Sequence, residues 1–325
     1  MTRALDRHAK RVLDMLAAGR TGNASELTPR GLRESMERLA RAVDLRNVAA
    51  ASVNDLRIRS PHGELTLRLY TPPDSPGDSL PGVVYFHGGT GVFCSLDTHD
   101  GLCRTLAASS GCRIISVDYR LAPENPFPAA IDDGLFATQW IADNAAELGI
   151  DPTRIAVAGD SAGGTIAAVV CQLAKHAGGP RLALQVLLCP VTDLASESPS
   201  RVEFATGFFI ERSTLEWAKA LYCGGADLSD PRISPLRSSD LDLAGLPAAQ
   251  IHTAEFDPMR DEGQAYADAL SAAGVDVSYV CHDGLIHHYY CMAGAIPRAR
   301  EVLLSVGTAM GNALRAAPRR TVAAQ

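Results

Sequence analysis

The 325 residues are 46% hydrophobic and 21% charged, enough apolar material for one large domain or two small ones and too much for a disordered chain. A net charge of −7 with no run of five like charges excludes the footprint of a nucleic-acid binder, and no apolar stretch is long enough for a spanning helix. The eight cysteines show neither C-x-x-C pairs nor Cys/His ligand spacing, so reduced thiols are expected, with no metal and no cofactor.

In chain order, residues 4–18 place Leu5, Val12, Leu13 and Leu16 at helical spacing. Arg3, Asp6, Arg7, Lys10, Arg11 and Asp14 interrupt the segment from Met1 to Leu16, so it reads as no secretory signal and a cytoplasmic protein is expected. Thr28-Pro29 is a helix start for the amphipathic stretch ending near Val43. Alternation at 53–59 and 64–70 around the turn Pro61-His62-Gly63 predicts an antiparallel strand pair. After a loop at 72–81, continuous apolar runs at 83–86, 113–117, 155–158, 184–188 and 249–253 predict strands buried on both faces, with a last strand at 275–280. Helical patterns at 102–109, 128–148, 162–176, 261–273 and 298–314 alternate with them, which predicts a mainly parallel sheet. The stretch between 188 and 249 carries aromatics but no strand and reads as a helical insertion, in which Phe208, Phe209 and Trp217 either line an acyl pocket or pack the insertion onto the sheet.

The chemistry concentrates where the run at 155–158 meets Gly159-Asp160-Ser161-Ala162-Gly163-Gly164. A side chain carried on a sharp strand-to-helix turn needs neighbours without Cβ, so Ser161 reads as the nucleophile of a G-x-S-x-G elbow. The helix starting there aims free N–H groups beside the hydroxyl, making Ala162 an oxyanion donor. A second glycine loop, His87-Gly88-Gly89-Thr90-Gly91, follows the run at 83–86, and Gly88 and Gly89 are the candidates for the other donors. A serine hydroxyl needs a base, and the base needs a carboxylate to fix its tautomer. Asp257-Pro258 follows the run at 249–253, with Asp261 and Glu255 as alternatives, and His287 and His288 close a late loop, of which only one imidazole can reach Ser161. His287 is favoured over His288, and His87 reads as a structural hydrogen-bonder.

Together with Asp118-Tyr119-Arg120-Leu121-Ala122-Pro123-Glu124, these motifs resemble the bacterial hormone-sensitive-lipase-like esterases of the α/β-hydrolase fold, over roughly residues 53–290. The resemblance implies an eight-stranded, mostly parallel sheet flanked by helices, with a helical lid. It divides the chain into a lid part at 1–50, a core at 51–190 and 246–325, and a second lid part at 191–245. It also implies serine-dependent hydrolysis of short- to medium-chain acyl esters by Ser161, His287 and Asp257. The rivals are amide or peptide hydrolysis by the same triad and a binding protein that has lost turnover. A small-molecule ester is the expected partner, and a homodimer is the default assembly. The family usually carries glycine where this chain has Thr90 and His288.

Overall fold

The apolar runs at 114–117, 155–158 and 184–188 are wholly buried, as strands covered on both faces must be. In the computed structural model, which describes residues 4–19, 27–50, 52–73 and 79–316, they belong to one eight-stranded sheet. Arg3 and the middle of the loop 72–81 lie outside the described residues. The strands are β1 (Ser52–Ser60), β2 (Gly63–Thr71), β3 (Leu80–Phe86), β4 (Arg113–Val117), β5 (Ile150–Asp160), β6 (Leu184–Leu188), β7 (Ala248–Phe256) and β8 (Val277–Ile286). Their order is β1-β2-β4-β3-β5-β6-β7-β8. The β1–β2 and β2–β4 pairings are antiparallel and every other one is parallel.

The helices are α1 (Arg7–Gly19), α2 (Pro29–Val43), α3 (Asp100–Ser110), α4 (Ala129–Asp143), α5 (Ala162–His176), α6 (Pro199–Glu203), α7 (Arg212–Cys223), α8 (Asp240–Leu243), α9 (Arg260–Ala272) and α10 (Pro297–Ala316). Packing of α3 on α10, and of α4 on α5 beside α9, gathers two helical layers about the parallel strands. The start of α2 follows the capping rule, with Pro29 in the first turn and the Thr28 hydroxyl accepting the Gly31 N–H at 3.1 Å.

Three expectations need correction. The last strand runs to Ile286 rather than stopping near 280, because pairing with β7 resumes at Phe256–Ile286 beyond an irregularity after Ala254. The helix after Asp257 begins at Arg260, leaving Pro258 outside it, and the helix expected over 128–148 ends at Asp143. The stretch between β6 and β7 holds α6, α7 and α8, and a buried ion pair between Arg201 and Glu262 of α9, 2.6 Å apart, anchors it.

Candidate active site

Ser161 sits between β5 and α5 with φ +51 and ψ −119, a conformation that costs a non-glycine residue about 1–3 kcal/mol. Its neighbours make the turn possible. A Cβ on Gly159 would fall 2.2 Å from the Gly163 carbonyl oxygen, and one on Gly163 would fall 2.0 Å from that of Phe86. The Ser161 N–H donates to Leu188 O at 2.8 Å, tying the elbow to the neighbouring strand end.

Strand register delivers the other two groups. Because Phe256 of β7 pairs with Ile286 of β8, the next residues, Asp257 and His287, leave adjacent strands side by side. His287 Nδ1 lies 3.0 and 2.9 Å from the two carboxylate oxygens of Asp257, and His287 Nε2 lies 3.1 Å from Ser161 Oγ. All three side chains are buried. Burial disfavours the imidazolium of His287, but the charge and hydrogen bond of Asp257 outweigh it and raise the pKa above the usual histidine value. The alternative acids are engaged elsewhere: Asp261 accepts from Ser200 N at 2.8 Å and pairs with Arg260, and Glu255 accepts the Gly284 N–H at 2.8 Å.

The glycine loop calls for a correction. The Gly88 N–H, expected to face an oxyanion, instead donates to Asp160 Oδ1 at 3.0 Å and is already taken. The N–H groups of Gly89 and Thr90 meet no acceptor among the described residues. Gly89 has φ +104, and a Cβ there would fall 2.0 Å from Phe93 O, so only glycine fits this turn. The N–H of Ala162, in the first turn of α5, has no acceptor within its helix.

Asp160 escaped the sequence reading. Fully buried, it accepts Tyr85 Oη at 2.6 Å as well as Gly88 N, and His99 Nε2 stands 3.2 Å away. Burial works against its charge, yet His99 and these hydrogen bonds hold its pKa down at about 2. The signal was present as the residue before Ser161, but its partners lie 72, 75 and 61 positions away, where spacing carries no information.

Above the triad opens a cavity of about 620 Å³. Met15 and Leu16 of α1, Leu32 and Met36 of α2, and Phe209 and Ile210 wall it, over a floor of Gly89, Thr90, Ser161, His287 and His288. His288, the reserve base, does not hydrogen-bond Ser161; its ring stacks on Phe209 at 5.1 Å and 6°. Burial, then His99, pushes its pKa down to about 3. His87 is the structural residue expected: its buried Nδ1 donates to Gly88 O at 2.7 Å and its ring stacks on Tyr119 at 4.3 Å.

The family model for the α/β-hydrolase fold matches residues 83–291. The chain belongs to this family, in its hormone-sensitive-lipase-like branch. The carboxylesterase NlhH of Mycobacterium tuberculosis is 47% identical over 240 residues, covering 73% of this chain and 75% of that protein. The ethyl acetate hydrolase of Pseudomonas putida is 42% identical over 264 residues, covering 79% and 82%. A solved α/β-hydrolase enzyme from the metagenome of Lake Arreo, Spain, is similar at a TM-score of 0.91 and 39% identity, over 95% of this chain and 98% of that one.

Within this α/β-hydrolase the two departures from glycine keep glycine-like backbones, φ +56 at Thr90 and +65 at His288. The Thr90 hydroxyl donates to Gly89 O at 2.7 Å, which occupies the extra group inside the loop. Among the described residues, two buried sets have metal-ligand proximity, His99 with His288 and Cys291, and Cys189 with Asp257 and His287. In each the geometry is committed elsewhere, since Thr98 and Asp160 engage both ring nitrogens of His99 and the second set contains the His287–Asp257 pair. All eight cysteines are free thiols, and no helix among the described residues is long and apolar enough to cross a membrane.

Proposed function

We propose that this α/β-hydrolase is a serine carboxylic ester hydrolase acting on short- to medium-chain acyl esters through an acyl-enzyme. The observation that carries the reading is the unbroken hydrogen-bonded line Asp257–His287–Ser161 facing a cavity beside unpartnered backbone N–H groups. Ser161 Oγ attacks the ester carbonyl while His287 Nε2 takes its proton. Asp257 keeps the His287 proton on Nδ1, leaving Nε2 as acceptor, and stabilises the imidazolium. The N–H groups of Gly89, Thr90 and Ala162 receive the negative oxygen, and losing one such donor typically costs about 2.7–4 kcal/mol of transition-state stabilisation. His287 then protonates the leaving alkoxide, and a water activated by the same imidazole releases the acid and restores Ser161. The segments at 1–50 and 191–245 act as the two parts of a lid, and the relatives named for ester hydrolysis support the substrate class. Eight unpaired thiols fit a reducing cytoplasm.

The test is covalent. A fluorophosphonate should add a single adduct to the peptide bearing Ser161 and abolish hydrolysis of p-nitrophenyl acetate, whereas Ser161→Ala should take no adduct and be inactive. An active Ser161→Ala protein would overturn the assignment. Comparison of p-nitrophenyl ester with p-nitroanilide hydrolysis decides between esterase and amidase, and the ester should dominate.

A further inference from the structure

We infer that the Thr90 side chain is a positioning group for ester hydrolysis: its hydroxyl pins the Gly89–Thr90 peptide so that the Thr90 N–H stays set for the developing oxyanion. The inference rests on the ester-hydrolase reading above and deepens it, giving a role to one of this chain's two departures from glycine.

Gly89, Thr90 and Gly91 all have positive φ, +104, +56 and +73. Glycine adopts such angles freely, whereas a β-branched residue there is a steric outlier. An outlier held in the loop beside a reactive serine points to a use for the side chain. The Thr90 hydroxyl donates to Gly89 O at 2.7 Å, and the same carbonyl accepts the N–H groups of Val92 at 2.9 Å and Phe93 at 3.0 Å. Backbone closes the turn through the second and third of these bonds whatever stands at position 90. Only a hydroxyl supplies the first.

The carbonyl of Gly89 and the N–H of Thr90 belong to one planar trans peptide and point in opposite directions. Three donors that fix the carbonyl therefore also fix the N–H, and Thr90 lines the cavity together with Ser161 and His287. Each donor on the carbonyl also polarises the amide, a cooperative strengthening of roughly 10–30% per hydrogen bond. The N–H becomes a better donor to a negative oxygen, and the loop needs no reordering when that charge develops.

The experiment uses the full-length enzyme and three variants. Thr90→Val keeps the branched shape and loses the hydroxyl, Thr90→Ser keeps the hydroxyl and loses the methyl, and Thr90→Gly loses both while relieving the backbone. Each is assayed for p-nitrophenyl acetate hydrolysis and for inhibition by an alkyl trifluoromethyl ketone, whose hemiketal oxygen on Ser161 takes the place of the oxyanion. Thr90→Val and Thr90→Gly should lower kcat about three- to tenfold, the span of one neutral hydrogen bond, and leave KM within about twofold. Both should weaken the ketone in proportion, and Thr90→Ser should recover most of the loss. Thr90→Val with wild-type kcat and inhibitor affinity overturns the inference, because shape alone then suffices. Equal losses in Thr90→Ser and Thr90→Val, or a raised KM at unchanged kcat, overturn it as well. If circular dichroism shows Thr90→Val unfolded, Thr90→Gly takes its place in the comparison with Thr90→Ser. All these overturning results leave ester hydrolysis standing. A wild type with neither ester turnover nor a fluorophosphonate adduct removes the ester-hydrolase reading, and the inference with it.

Discussion

Asp160 carries an ionised carboxylate beside Ser161, the proposed nucleophile, fully buried, and holds with it the loop that presents Gly89 and Thr90. It touches no reacting atom, so it is a positioning residue. Asp160→Ala leaves Gly88 N–H and Tyr85 Oη without their acceptor and should lower kcat at least about tenfold with little change in KM, because a displaced oxyanion donor acts in the transition state. Asp160→Asn keeps an acceptor oxygen and should recover most of that loss. The same carboxylate helps to raise the His287 pKa, so Asp160→Asn should also move the acidic limb of the kcat/KM profile to lower pH, since activity requires neutral His287. Equal kcat values for the Ala variant and wild type, or a limb moving to higher pH, would remove this role. At this scale the sequence pointed to Ser161, Asp257 and His287, which the structure brings into hydrogen-bond contact, because they stand at local signals, a glycine elbow and two strand ends. Gly88 misled because a free loop N–H and one claimed by a distant carboxylate look alike in sequence.

At the scale of elements, one side chain fastens α2 to the glycine loop. Arg33 donates from Nε to Val92 O and from Nη2 to Ala122 O, both at 2.9 Å, and forks onto Glu124 at 2.8 and 2.7 Å. Val92 follows the turn closed by Gly89 O, so the helix walling the cavity and the loop carrying the proposed oxyanion donors share an anchor. Removing these bonds with Arg33→Ala should cost about 1–3 kcal/mol, speed hydrogen exchange in α2 more than in the central strands, and raise KM severalfold. Lysine has no fork and should not rescue. Uniform exchange across α2 and β5 in the variant would show that the anchor is dispensable. The resemblance placed Glu124 in a motif, and the periodicity placed Arg33 on a helix. The bond between them joins positions 91 residues apart.

The whole molecule responds to pH through histidines it keeps neutral. His252 of β7 lies against His282 of β8, Nδ1 to Nε2 at 3.2 Å. Burial, then His282, pushes the pKa of His252 down to about 3. An unfolded histidine takes a proton near pH 6.5, so the unfolded chain binds more protons and gains on the native state as pH falls. The stabilisation is therefore full above about pH 6.5 and is lost progressively below it, with about 2 kcal/mol gone from this residue between pH 7 and pH 5. His252→Gln, which cannot titrate, should lose correspondingly less over the same interval in urea unfolding. Equal losses in the two proteins would refute the linkage.

By itself the sequence determined the alternation of strands and helices, the elbow at Ser161 and the chain order of the proposed nucleophile, acid and base, because each is written in periods of two or 3.6 residues and in glycines that short-range sterics demand. Tertiary structure decided what depends on register and on distant partners. The Phe256–Ile286 pairing sets Asp257 beside His287, and Asp160 takes the N–H of Gly88. Those outcomes come from through-space contact between segments far apart in the chain, and no local pattern encodes a distance.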